Sequence, residues 1–268
     1  MSRRGRSAQI ALIALLTLSA CIDRWLEAPF VLATGMGEAR SLHPTLHEGM
    51  WVASDEGLFE VNGNGVTTPH LRTPVSVVAG TPERLFIVDA SGLHWGPPPA
   101  PGAPFQADGG VTRTDVHDLL GWTDGNLLLA IGEEVRLFDA RSGTAAPYAT
   151  GLGAVRALAL GPTEGGPSAL AVTEDRLWLL RGGERTLLAS GLVDAQAAAT
   201  DPWGRVWILQ GAPREIDRVE GQELRRFATS VGDCTDLHFG ATGLFPAENL
   251  YLTARDGTLN YVRVPSPG

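Results

Sequence analysis

Six copies of one hydrophobic hairpin run through the chain, and this periodicity constrains the fold more than any other feature. The copies begin GMWVASDEGLFEV at Gly49, RLFIVDASGLHW at Arg84, NLLLAIGEEVRLF at Asn126, SALAVTEDRLWLL at Ser168, RVWILQGAPREIDRV at Arg205 and NLYLTARDGTLNYV at Asn249. Trp51, Phe86, Leu128, Leu170, Trp207 and Tyr251 hold equivalent places, separated by 35, 42, 42, 37 and 44 residues. Apolar runs this short, bounded by Gly, Asp and Asn, read as strands and turns and show no helical period. A repeat of about 40 residues is the length of one four-stranded propeller blade.

Between the hairpins lies a second motif, a strand, a short turn and another strand. It recurs at Phe30 (FVLATGMGEARSL), Pro69 (PHLRTPVSVV), Pro104 (PFQADGGVTRTDVHDLL), Pro147 (PYATGLGAVRALAL), Thr186 (TLLASGLVDAQAAA) and Arg226 (RFATSVGDCTDLHF). Each copy is expected to carry an outer strand across to the inner strand of the next blade. The first copy precedes the first hairpin, and the chain ends soon after the sixth. The last blade therefore lacks an outer strand of its own, and Phe30–Thr34 is expected to supply it and close the ring. The fold class predicted is all-β, a six-bladed β-propeller over 30–268. Trp51, Trp95, Trp122, Trp178 and Trp207 are expected to pack between blades. The run Gly96–Pro104 contains five prolines and is expected to be an extended loop within the second blade, a stiff surface loop or a docking arm.

The stretch Asp201-Pro-Trp-Gly-Arg-Val-Trp207-Ile208, followed by Ile216-Asp-Arg-Val219, resembles the D-x-x-G-x-hydrophobic-W repeat of a broad propeller group. The group takes in NHL-repeat proteins, the SMP-30/gluconolactonase family, strictosidine-synthase-like proteins and streptogramin lyase. Only this fifth repeat keeps the letters; the other five keep the strand pattern. The resemblance implies a propeller and, in the lactonase members, a divalent ion, usually calcium, held at the axis by a Glu at an inner-strand start with Asn and Asp partners. Glu38 stands in a comparable place. The asparagines Asn126, Asn249 and Asn260 fall in hairpins, away from inner-strand starts.

Loops from every blade converge where inner strands begin, so aligning those strands locates the expected site. Arg40, Ser76, His117, Arg156, Gln196 and Thr235 share one position, and all six are polar. Two residues earlier stand Glu38, Pro74, Asp115, Ala154, Asp194 and Asp233, and two later Leu42, Val78, Leu119, Leu158, Ala198 and Leu237. This predicts a polar funnel narrowing into an apolar core. Three readings of it stand. The arginines and acids could form solvated ion pairs around a wet channel. The six polar residues could bind a small polar ligand or a peptide, with Arg40 and Arg156 gripping carboxylates. Or Glu38, Asp115, Asp194 and Asp233 could hold calcium, with His117 beside Asp118 as general base of a lactonase-type hydrolase. Binding or scaffolding is the function expected, and the metal-assisted hydrolase is the alternative.

The N-terminus sets the expected location. Arg3, Arg4 and Arg6 precede an apolar run, Ile10–Leu18, which is too short to span a bilayer. Leu18-Ser-Ala-Cys21 then resembles a bacterial lipobox. Residues 1–20 read as a cleaved signal peptide and Cys21 as the lipidated residue, with 21–29 a short tether. The protein is thereby expected on the bacterial cell envelope, held to a membrane by lipid, with an envelope protein, peptide or small polar ligand as partner. The only other cysteine is Cys234, which leaves no internal disulfide if Cys21 carries lipid. No lysine is present, which removes Schiff-base chemistry. The formal net charge is −9, and losing three arginines and no acid with residues 1–20 takes it to −12. So acidic a chain makes nucleic acid a poor partner. His43 and His47 are four apart, but Pro44 between them excludes a helical metal pair. No P-loop, H-E-x-x-H, G-x-S-x-G or paired C-x-x-C is found. No cofactor is expected, apart from calcium in the alternative reading.

Overall fold

The computed structural model describes residues 29–45, 49–100, 102–212, 214–241 and 244–267. Signal peptide, Cys21, the tether up to residue 28 and His47 lie outside the described residues. Twenty-four strands form six antiparallel four-stranded sheets, each sequential but the last. The first strand, β1 (Phe30–Ala33), stands apart from the blade that follows it. Blade one is β2 (Ala39–Pro44), β3 (Gly49–Ser54), β4 (Gly57–Asn62) and β5 (Thr67–Leu71). Blade two is β6 (Val77–Gly80), β7 (Leu85–Asp89), β8 (Gly92–Gly96) and β9 (Gly109–Val111). Blade three is β10 (Asp118–Gly121), β11 (Leu127–Ile131), β12 (Glu134–Asp139) and β13 (Thr144–Ala149). Blade four is β14 (Val155–Leu160), β15 (Ala169–Thr173), β16 (Arg176–Arg181) and β17 (Glu184–Ser190). Blade five is β18 (Ala195–Thr200), β19 (Val206–Gly211), β20 (Arg214–Glu220) and β21 (Glu223–Thr229). Blade six holds β22 (Cys234–Phe239), β23 (Asn249–Ala254) and β24 (Leu259–Arg263), and its outer strand is β1. The hairpins and crossing motifs read from sequence fall on these strands, blade by blade.

Ring closure follows the expected route. Phe30 pairs with Tyr261 and Ala33 with Leu259, and the Phe30 and Tyr261 rings stack at 5.2 Å. Gly257, at φ +79°, turns the last hairpin directly against the carbonyl of Gly37, where a Cβ would collide. That close approach locks blade six to the link that leads into blade one.

Cores form between blades, not within them, because each sheet has two faces to cover. Trp95 of β8 meets Phe138 of β12 edge-on at 5.5 Å. Trp207 of β19 packs on Phe227 of its own blade at 4.7 Å and on Phe239 of blade six at 6.2 Å. The alanines of β18 (Ala195, Ala197, Ala198, Ala199) are all buried and join blades four, five and six in one cluster. The proline loop between β8 and β9 is stitched down and is no free arm. Phe105 donates its N–H to the His70 carbonyl (2.9 Å), and His70 Nδ1 meets the Ala103 carbonyl (2.6 Å).

Candidate functional site

All six polar residues aligned from the sequence come together. Arg40, Ser76, His117, Arg156, Gln196 and Thr235 line one depression of about 430 Å³ where the inner strands begin, together with Glu38, Ala154, Val155 and Arg255. Repetition explains this convergence: each blade delivers its inner strand to the axis in the same register. Arg255 was not visible in that alignment, because it sits at the β23–β24 hairpin tip and reaches the mouth from outside the inner ring. Chain direction puts the hairpin tips after β3, β15 and β23 on this same face, so charged tip residues were the signal that could have found it.

The arginines of the mouth are held unequally. Arg156 is gripped by Asp194 at 2.5 Å and by Glu174 at 3.2 Å. Asp194 adopts φ +52°, a strained left-handed conformation for a residue with a Cβ, and its carbonyl is used by Gly211 and Gln196. Arg40 and Arg255 are looser. Arg40 lies 3.7 Å from Glu38, and Arg255 lies 3.4 Å from Glu38 and 3.7 Å from Asp233. At such distances and exposures each pair contributes little, and the guanidinium donors stay open to a further acceptor.

The four carboxylates expected to hold calcium are not brought together. Glu38 sits between Arg40 and Arg255, Asp115 faces Arg113, Asp194 faces Arg156, and Asp233 faces Arg214 and Arg255. Among the described residues no three His, Cys, Asp or Glu side chains converge as a metal site. These donors do not fit a cation that takes six to eight oxygens, because each faces an arginine. Millimolar calcium is accordingly expected to leave the melting temperature unchanged. A rise of several degrees, abolished by Glu38→Ala, would restore the metal reading.

The expected partnership of His117 with Asp118 is also corrected. His117 precedes β10 and lies exposed at the mouth, whereas the Asp118 carboxylate is taken up by backbone donors. It accepts the N–H of Leu158 on the next blade (2.6 Å) and that of Leu119 (2.8 Å). Asp236, on the opposite blade, does the same with Leu42 (2.9 Å) and Leu237 (2.8 Å). Ser41 makes the third such bridge, to Val78.

The predicted apolar narrowing was therefore wrong in phase. The ladders shift register between Ala39 and Ser41, Val155 and Ala157, Ala195 and Ala197, and Cys234 and Asp236. A bulge of this kind adds one residue and resets the alternation. Leu42, Val78, Leu119, Leu158, Ala198 and Leu237 go into the cores between blades, and Ser41, Asp118 and Asp236, each beside one of the leucines, make the bridges from blade to blade.

Below the mouth the axis thus carries two acids, then two histidines. Asp118 and Asp236 keep some accessible surface, yet protein encloses them, and their carboxylates rest on backbone N–H donors. Burial holds Asp118 well above the usual carboxylate range, with the charge of Asp236 adding to it. Burial also pushes Asp236 up to about 7, against the pull of its two backbone donors. Farther down, His43 and His238 meet edge-on at 5.8 Å. Burial and then the neighbouring His238 bring His43 down to about 3, and burial lowers His238 as well. His43 also lines a second pocket at the far face, about 190 Å³, with Trp51, Thr81, Pro98 and Pro99 among its walls. Burial raises the Cys234 thiol to about 12, so this cysteine is an inert core residue and no nucleophile.

A raised carboxyl stabilises the fold below its ordinary titration range, and that contribution fades as pH climbs through the folded value. Depressed His43 acts oppositely, losing its contribution as pH falls from about 6.5 toward about 3. Above pH 6.5 only the acid effect remains. Asp236→Asn is expected to gain on the parent by roughly 5 °C between pH 5 and pH 8. Parallel pH–melting curves for the two proteins would remove Asp236 as the titrating group.

No family model matches the chain, and no curated protein matches it. Solved structures do. A protein provisionally named a gluconolactonase superposes with a TM-score of 0.64 at 14% identity, over 88% of this chain and 92% of that one. A Thermus thermophilus protein provisionally named an oxidoreductase (glucose dehydrogenase) gives 0.63 at 14%, over 87% and 99%. Streptogramin B lyase gives 0.62 at 10%, over 88% and 96%. Identities this low carry the architecture and nothing finer: the chain, with its six blades, shares the β-propeller fold with these proteins.

Proposed function

We propose that this chain is a ligand-binding propeller, held at the bacterial cell envelope by lipid on Cys21, whose mouth takes a small carboxylate-bearing ligand. The observation that supports it is the unequal hold on the arginines. Arg156 is committed to Asp194, whereas Arg40 and Arg255 share Glu38 at 3.4–3.7 Å with side chains 42% and 56% exposed. An incoming carboxylate can exchange with Glu38 for these two guanidiniums, while Gln196 keeps a second amide hydrogen to donate and the Ser76 and Thr235 hydroxyls, whose protons go to the Val88 and Ala39 carbonyls, can accept from the ligand's other groups. The depression of about 430 Å³ suits a compact molecule.

Calorimetric titration with a panel of dicarboxylates and sugar acids tests this. Replacing Arg40 and Arg255 together by Ala is expected to weaken binding at least tenfold, as loss of a charge-assisted contact does. Replacing Arg156 alone is expected to distort the mouth through Asp194. If nothing in the panel binds, or the double variant binds as tightly as the parent, the site lies elsewhere.

The second reading, a hydrolase of lactones or esters, draws on one feature. A carboxyl that titrates near 7, directly beneath a ligand-sized depression, has the properties of a general acid or base. The name of the gluconolactonase-like neighbour points the same way. Hydrolysis of a simple lactone by the parent, lost in Asp236→Asn, would put this reading first.

A further inference from the structure

The propeller has two unlike faces. Every inner strand runs from the mouth to the far face, so strand direction assigns each turn to one side. Arg40, His117 and Arg156 mark the mouth. The β4–β5 turn (62–66), the β22–β23 loop, the β18–β19 turn and the start of β1 lie on the far face.

Large apolar side chains are exposed mainly on that far face. Phe30, Val31, Val66 and Leu244 are 47%, 61%, 57% and 53% exposed, and Leu160 and Trp203 also lie there. Only Leu187 on an outer strand and Val193 near the mouth fall elsewhere among the described residues. The first four are neighbours. Gly65, beside Val66, touches the carbonyl of Leu32 in β1, and Gly63 in the same turn abuts Leu244. Residues 29–37, 61–71 and 244–247 around this patch carry no Asp, Glu or Arg, and the first acid of the β22–β23 loop is Glu248, at the foot of β23. Equivalent far-face turns of other blades do, as at Glu83, Arg141, Glu184 and Glu223. A cluster of this kind on a chain with net charge −9 calls for a cover.

We propose that the cover is a lipid bilayer surface, and that the patch around Phe30, Val31, Val66 and Leu244 docks on it with the mouth facing away. The inference rests on the lipid-anchor reading above. The chain enters the fold at Phe30, within the patch, and only eight residues separate it from Cys21. Even fully extended, eight residues reach at most about 29 Å. Lipid on Cys21 therefore holds this face within a tether's length of the membrane. Surfaces carrying net negative charge avoid anionic headgroups, so the favoured surface is zwitterionic. The consequence is functional: the ligand depression opens toward the aqueous side, clear of the bilayer.

The test uses the full chain, processed in bacterial cells and reconstituted in phosphatidylcholine vesicles containing a headgroup-spin-labelled lipid. A fluorophore is attached through Val66→Cys on the far face or Val193→Cys beside the mouth; Cys234 is buried and does not compete. Quenching at position 66 is expected to exceed that at 193 at least threefold, and Leu244→Glu is expected to reduce it. Equal quenching at the two positions, or no effect of Leu244→Glu, overturns the docking surface while leaving the anchor intact. Mass analysis of the Cys21 peptide separates the two failures. A peptide without acyl mass, with no vesicle binding, overturns the anchor reading and the docking inference together.

Discussion

A chain beginning at Gly37 is expected to melt roughly 10–30 °C below one beginning at Ile22. The cut removes β1, the borrowed fourth strand of blade six. Its ladder to β24 goes, each hydrogen bond contributing about 1 kcal/mol net. So does the stack of Phe30 on Tyr261 at 5.2 Å, about 0.5–1.5 kcal/mol. Met36, wholly buried in the link to blade one, is lost with Ala33, and burying a methionine contributes about 1.5–3 kcal/mol. The total is about 5–8 kcal/mol, and about 2–4 °C accompanies each at this chain length. Leu259 and Asn260, now covered, would sit on an unpaired edge, so concentration-dependent association is expected alongside the lower melt. A loss of only a degree or two would mean that blade six is stable with three strands and the ring closes without the N-terminal strand.

Asp201→Ala is expected to cost about 3–5 kcal/mol, the usual penalty for removing one partner of a buried, hydrogen-bonded charge pair. Asp201 has no exposed side-chain surface. One oxygen accepts the N–H groups of Trp203 (3.0 Å) and Arg205 (2.8 Å), and the other accepts Arg205 Nε and the Trp207 indole N–H (3.0 Å). Arg205 in turn lies over Trp203 at 4.7 Å and Trp207 at 5.5 Å, and binds the Pro265 carbonyl at 2.9 Å. Alanine would leave four donors unsatisfied and release Arg205, with Trp207 the largest wholly buried side chain among the described residues. The drop in melting temperature is expected to be roughly 10 °C. Asp201→Asn keeps one acceptor oxygen and should fall between the two. If alanine costs under 1 kcal/mol, the turn is held by its glycine and its strands, and the carboxylate is incidental.

This site explains why one repeat alone retains its letters. In the D-x-x-G-x-V-W stretch the aspartate caps the turn and the tryptophan donates its indole N–H to the same carboxylate, so the motif's residues are tied to one set of hydrogen bonds. Elsewhere other devices close the same turn. Ser168 bonds the Pro162 carbonyl in blade four at 2.6 Å, and Thr81 exchanges backbone bonds with Arg84 in blade two. Strand pattern survives such exchange because burial needs only apolar side chains at alternate positions. Letters do not survive it.

The amino-acid order by itself determined the six blades, the strand that closes them and the ring of polar residues at the mouth. All three follow from repetition, since a period of about 40 residues places equivalent side chains at equivalent radius. Packing of one blade against another decided the rest. Each bulge near Arg40, Arg156, Gln196 and Thr235 adds a single residue that no alternation pattern displays. On the axis, Asp118 and Asp236 stand in place of the leucines. Whether two carboxylates 118 residues apart in sequence share one buried channel depends on opposite blades meeting across a ring. The same holds for the pairing of Asp194 with Arg156 and of Glu38 and Asp233 with Arg255, and for the convergence of Phe30, Val66 and Leu244 on one face. These are contacts between distant segments, and only the closed ring brings them together.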